Sequence, residues 1–193
     1  VTLSVGTVYS VVGGETGEGK ANDNVVTIKG SAAVTGKSNG VYGGYTIEGN
    51  ASGNIVNIED DADIHGEIMG GYTRAGSLIS GNKVNVTGGN VNENTVYGVY
   101  TAYGDVLDNQ AVIKGTGQAG SSDTNSVYAG FTNIGAADGN LLYLQDSAEI
   151  AGSAFAVYQG GFRSSETVGR NQVFMSGGSV GGDLTGGGSN NGG

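Results

Sequence analysis

The stretch Val41-Tyr42-Gly43-Gly44-Tyr45-Thr46 decides how this chain is read, because it returns with small changes about every thirty residues. Ile68-Met69-Gly70-Gly71-Tyr72-Thr73, Val96-Tyr97-Gly98-Val99-Tyr100-Thr101 and Val127-Tyr128-Ala129-Gly130-Phe131-Thr132 follow it. A last copy reads Val157-Tyr158-Gln159-Gly160-Gly161-Phe162, with one residue extra, and a worn first copy reads Val8-Tyr9-Ser10-Val11-Val12. Self-similarity at a fixed period is the signature of a repeat architecture.

Further markers keep the same period. An Asn follows the first Val or Ile of each copy by 13 to 16 residues: Asn24, Asn54, Asn82, Asn109, Asn140 and Asn171. After each Asn comes a short alternating run with apolar positions Val26/Ile28, Val56/Ile58, Val84/Val86, Ala111/Ile113, Leu142/Leu144 and Val173/Met175. Such period-two alternation marks a strand with one buried face. A small residue, a spacer and then Val or Ile follows in five repeats: Ala32/Val34, Ala62/Ile64, Gly89/Val91, Ala148/Ile150 and Gly178/Val180. In the fourth repeat Lys114 to Ser126 reads as a loop. Three residues before each Asn stands a residue expected to turn inward: Ala21, Ala51, Ile79, Val106, Ala137 or Val168.

The 193 residues include 40 glycines and no proline, cysteine or tryptophan. Collagen is excluded by the missing Gly-X-Y period and the missing proline. Disorder is excluded by apolar residues, 37% of the chain, that recur in register. Glycine this dense opposes helix, at about 1 kcal/mol per interior position, and hairpin turns do not recur at fixed places. Three short strands per 27 to 33 residues, six times over, therefore predict an all-β right-handed parallel β-helix, a β-solenoid of about six three-stranded coils. Equivalent residues would stack about 4.8 Å apart, making a rod of roughly 30 Å. The whole chain, 1–193, is expected to be one solenoid segment of a longer polypeptide, with 186–193 as a Gly/Ser/Asn-rich tail. The Asn column is expected at a turn, with stacked amides bonding from coil to coil.

The formal net charge of -10 and the scattered Lys and Arg exclude a phosphate-backbone footprint, so no nucleic-acid partner is expected. The absence of cysteine excludes disulfides and thiolate metal sites. No apolar run is long enough to cross a bilayer, so no membrane insertion by this segment is expected.

Strict alternation through the quoted stretch assigns its two aromatic columns to opposite sides. Tyr45, Tyr72, Tyr100, Phe131 and Phe162 are expected inside the coil as a stack. Tyr9, Tyr42, Tyr97, Tyr128 and Tyr158, interrupted by Met69, are expected outside as a ladder that could stack on sugar rings or anchor a protein. A second outward column turns from polar (Thr27, Asn57, Asn85) to apolar (Val112, Tyr143, Phe174, with Leu141 alongside), a candidate contact stripe. Each has a plainer reading: the Tyr42 column packs inward, or loops cover the stripe.

Asp61, Asp63 and His65 would share an outer strand face beside Asp60, and two carboxylates with an imidazole could hold a divalent cation. The alternative is a solvated polar face, and no cofactor is expected. Glycoside hydrolysis needs two facing carboxylates, and Arg74, Arg163 and Arg170 stack with no acidic cluster. One His and no G-x-S-x-G elbow leave no nucleophilic triad. No tandem nonapeptide calcium repeat occurs. Thr46, Thr73, Thr101 and Thr132 form a column one residue wide, which fits strand-end propensity better than an ice-binding face.

The combination of V-Y-G-G-Y, a Gly-rich loop, G-N-x-V-x-I and a small-x-V strand, seen best in Val41–Ile64 and Ile68–Val91, resembles repeats of bacterial autotransporter (type V secretion) passenger domains. It spans Val8 to about Gly182. The resemblance implies a secreted or cell-surface protein of the Gram-negative outer membrane. It also implies a non-catalytic adhesin, virulence factor or stalk rather than an enzyme. Expected partners are then a host or bacterial surface protein or glycan, with self-association as an alternative and a polysaccharide-active enzyme as another.

Overall fold

The computed structural model describes residues 1–37, 40–92, 94–121, 126–161 and 167–189. Among them there is no helix; every regular element is a strand, and every pairing is parallel. Three sheets run side by side along a parallel β-solenoid of about six turns, as the repeat period predicts.

The first sheet holds the Asn-led strands, seven in order: Thr2–Leu3, Val25–Ile28, Ile55–Ile58, Lys83–Val86, Gln110–Ile113, Leu141–Leu144 and Gln172–Met175. Its register pairs Val26 with Val56, Val84 with Val56 and Ala111, and Leu142 with Ala111 and Val173, the columns anticipated from alternation. The second sheet has seven strands of two or three residues, from Thr7–Val8 to Ser179–Val180. Gln118–Gly120 is one of them, bonded between Asn90–Asn92 and Glu149–Ile150. The fourth repeat thus has its third strand where the sequence suggested only a loop. Gly117 and Ala119 fill the small and apolar positions, and so little hydrophobic bulk gives no periodic signal. Residues 122–125 of that expected loop lie outside the described residues.

The third sheet is built from the quoted stretch and its copies: Val11–Glu18, Val41–Glu48, Ile68–Ser80, Val96–Leu107, Val127–Ile134, Ala154–Gln159 and Leu184–Thr185. Two copies sit in a different register from the one their composition suggests. Val11, not Val8, pairs with Val41, so Val12 and Glu15 stand under Tyr42 and Tyr45. Ala154, not Val157, pairs with Val127, so Phe155 follows Tyr128, and Tyr158 follows Phe131. Within the 186–193 tail, Gly188–Ser189 still adds to this sheet beside Tyr158 and Gln159.

Inside the coil, Val, Ile, Leu and Ala from all three sheets form one continuous core from Val11 to Ala156. Burying such side chains supplies about 25 cal/mol per Å². A second, smaller core of Ile79, Val99, Val106, Ala137 and Val157 lies along the third sheet. The turn residues Ala21, Ala51, Ile79, Val106 and Ala137 point inward as expected.

The Asn column runs along the corner before the first sheet. Asn54, Asn82, Asn109 and Asn140 are fully buried. Each side-chain oxygen accepts from the backbone N–H and the amide of the Asn one coil earlier: Asn82 Oδ1 from Asn54 at 3.0 Å twice, Asn109 Oδ1 from Asn82 at 3.0 and 3.1 Å. The left-handed backbone falls one residue earlier than the Asn, at Asp23, Gly53, Gly81, Asp108, Gly139 and Arg170, with φ between 47 and 68°. The Asn is thus the inward brace of the corner, not its αL residue.

Candidate functional site: an aromatic double ladder

Alternation breaks in the middle of the quoted stretch. Val41 faces the core, yet the positions of Gly43 and Gly44 both face inward: Ala129 enters the main core, and Val99 and Val157 enter the second. A Cβ on Gly44 would stand 2.6 Å from Asn54 Nδ2, so the Asn ladder reaches the backbone there. Two consecutive inward residues shift the phase by one, as at a β-bulge. Thr46, Thr73, Thr101 and Thr132 then turn inward and are fully buried, which corrects their reading as a strand-end column on the surface. Their hydroxyls bond backbone carbonyls, Thr73 to Gly49 O and Thr132 to Gly104 O at 3.0 Å each.

The phase shift places both aromatic columns on the outer side. Tyr45, Tyr72, Tyr100 and Phe131 do not line the core, contrary to alternation; Phe162 lies outside the described residues. They are partly exposed and stack as parallel rings: Tyr45–Tyr72 at 4.8 Å, Tyr72–Tyr100 at 5.7 Å, Tyr100–Phe131 at 5.0 Å and Phe131–Tyr158 at 5.7 Å. Beside them runs the column Tyr42, Met69, Tyr97, Tyr128 and Phe155, with Tyr97–Tyr128 at 5.2 Å and Tyr128–Phe155 at 5.1 Å. The columns meet edge to face: Tyr42–Tyr45 at 85° and Tyr128–Phe131 at 84°. Stacked and T-shaped contacts each contribute about 0.5–1.5 kcal/mol beyond burial, so the face is a rigid assembly.

This reassigns three residues. Tyr42, expected to face solvent, is only 7% exposed because Tyr45 and Tyr72 flank it. Tyr158 belongs to the Tyr45 column, because the last copy starts at Ala154 and Val157 takes the position of Gly130. Tyr9 belongs to neither column; it stands 63% exposed at the bend before Val11. Tyr97 and Tyr128 keep the outer position expected of them.

In the column of Tyr42, Met69, Tyr97, Tyr128 and Phe155, the inner column, the side chain two residues earlier reaches two of the phenols. Thr95 bonds the Tyr97 phenol and Ser126 the Tyr128 phenol. Glu67 holds the same position before Met69. Its carboxyl is pushed above the usual carboxylate range by burial. Burial, and then the nearby Glu67 charge, pushes the Tyr42 phenol up to about 12 and raises Tyr97. Tyr72 and Tyr128 are raised as well, chiefly by burial. Sequence reasoning passed over Glu67, although it is a lone charge among Gly40, Thr95, Ser126 and Ser153, the residues at the same position in the other coils.

The other candidates lie apart. Asp63 and His65 share the second sheet's outer face, with Nε2–Oδ2 at 2.8 Å, and Asn90 Nδ2 reaches Asp63 Oδ1 at 3.4 Å. Asp60 Oδ2 accepts from Gly30 N–H at 3.1 Å, so it braces a corner. Among the described residues no three His, Asp or Glu converge as a metal site would require, so Asp61 does not join the Asp63–His65 pair to make one. Arg170 pairs with Asp138 one coil away; Arg74 is exposed, and Arg163 lies outside the described residues. The apolar stripe is real as a column: Val112 pairs with Tyr143, and Tyr143 with Phe174, whose rings stack at 5.0 Å. Val112 is buried, Tyr143 and Leu141 are partly buried, and Phe174 is 44% exposed. No helix among the described residues is long and apolar enough to cross a membrane.

No family model, no curated protein and no solved structure matches this chain.

Proposed function

We propose that the chain is a non-catalytic structural or adhesive segment of a bacterial cell-surface or secreted protein, presenting one lateral face to a glycan or a surface protein. The observation that carries this reading is the double ladder: parallel rings repeated at coil spacing from Tyr45 to Tyr158, held by perpendicular neighbours. Rings fixed in this way lose little entropy on contact, and tyrosine is favoured in contact surfaces. A repeated weak contact gains strength by multivalency. The repeat pattern's resemblance to autotransporter passengers supports an extracellular setting at the outer membrane. The test is binding to whole cells and to a glycan array. Tyr100→Ser with Phe131→Ser should weaken binding at least about tenfold if each ring contributes about 1 kcal/mol; unchanged binding sinks the reading.

A further inference from the structure

The outer ladder stops at Tyr45. Tyr72 covers one side of that ring at 4.8 Å. On the next coil the residue in register is Glu15, not an aromatic, and Val12 stands where a partner for Tyr42 would be. The missing rung leaves a pocket of about 230 Å³ lined by Ser10, Val12, Glu15, Tyr42 and Tyr45. Its two rings meet at 85°, so it has two aromatic walls at a right angle, an apolar floor and one carboxylate.

We infer that this pocket binds an alkylated ammonium group, with Tyr45 and Tyr42 as the aromatic walls and Glu15 as the counter-charge. Ring faces carry negative quadrupoles and attract cations, most strongly where water is reduced. Tyr42, only 7% exposed, supplies such a sheltered wall. Methyl groups on nitrogen match Val12 and the rings and need no hydrogen-bond acceptors. No Lys or Arg lines the pocket, and the chain's net charge of -10 draws cations toward it. A sugar ring could stack on Tyr45, but beyond the phenols its several hydroxyls would find only the side chains of Glu15 and Ser10. The inference uses the aromatic face and does not depend on the adhesive reading.

Tetramethylammonium chloride is titrated into isotope-labelled protein, with sodium chloride matched for ionic strength and methyl β-glucoside as the neutral ring. Saturable shifts are expected at Tyr42, Tyr45 and Val12 with tetramethylammonium alone. Glu15→Gln, at an exposed position, should weaken the binding about tenfold, and Tyr45→Leu should abolish it. Tyr158→Leu, at the far end of the column, should leave it unchanged and serves as the folding control. Choline and Nε-trimethyl-lysine are then compared; binding of either supports the site, and the tighter one tells a headgroup from a modified side chain. Shifts that merely follow ionic strength, binding that survives both Glu15→Gln and Tyr45→Leu, or preferred binding of the glucoside overturns the assignment. Cell binding measured on the Tyr100/Phe131 variant remains a separate outcome.

Discussion

Asn54 and Asn82, one coil apart, share two hydrogen bonds of 3.0 Å, both accepted by a single side-chain oxygen of a fully buried residue. The same pair of bonds recurs from Asn24 to Asn171. Among the described residues no buried side-chain polar atom lacks a partner.

Asn82→Ala would leave the Asn54 N–H without an acceptor in the interior, with one amide bond lost on either side. A destabilisation of about 2–4 kcal/mol is expected. Asn57, whose bonds of 2.8 and 3.3 Å run along the outer face, is the comparison. Asn57→Ala should cost about 1 kcal/mol or less. Urea midpoints of the two variants check this; equal shifts would remove the special role of the inward column.

Gly81 sits at φ +67° in the corner that Asp23 and Asp108 occupy at 58 and 55° in other coils. Nothing stands within 4 Å of a Cβ added there, so a substitution there reads backbone preference alone. Gly81→Asn should be close to neutral, and Gly81→Val should cost about 1–2 kcal/mol. Thermal melting of both variants measures the difference.

The inner-column phenols are raised in the folded state by burial, and Tyr42, pushed up to about 12, and Tyr97 are raised further by Glu67. An unfolded phenol ionises near about 10. Between those values the folded chain holds more protons, so stability falls as pH rises through that window. Phenolate absorbance should therefore rise together with loss of β-sheet signal at the alkaline end. Tyr97→Phe should move that transition to higher pH; no movement would show that Tyr97 is not held in the buried setting described.

Glu67 works with the same sign from the acid side. Burial raises its carboxyl, so the folded state binds more protons just above the ordinary carboxylate range, and stability falls as pH rises there. Above its raised range the burial cost is fully present. Glu67→Gln should stabilise the neutral protein and flatten that part of the stability-versus-pH curve. Denaturation across the pH range tests it; a less stable Gln variant at neutral pH would contradict it.

Much of this was legible in the chain because solenoid columns repeat their chemistry. The Asn24 column carries one residue type and the Val26 and Ala21 columns stay apolar from coil to coil, and each landed where its period put it. Most of the failures share one physical cause, small residues. Gly43 and Gly44 carry no side chain to reveal that both face inward, so alternation carried Tyr45 to the wrong side. Ala119 hid a strand by being too small to mark it. Ala154 hid the true start of the last copy, and Val157 three positions after it looked like a better match. Position in the site followed: the ring that meets solvent is in the Tyr45 column, while Tyr42 is its wall.

That placement is the centre of the account, and chemical modification of the folded protein tests it most directly. Limited tyrosine nitration, mapped by mass spectrometry, should reach Tyr9 and Tyr103 first, at 63% and 55% exposure, then Tyr45, while Tyr42, at 7%, stays protected. Modification of Tyr42 with Tyr45 protected would return Tyr45 to the core and contradict the outward double ladder.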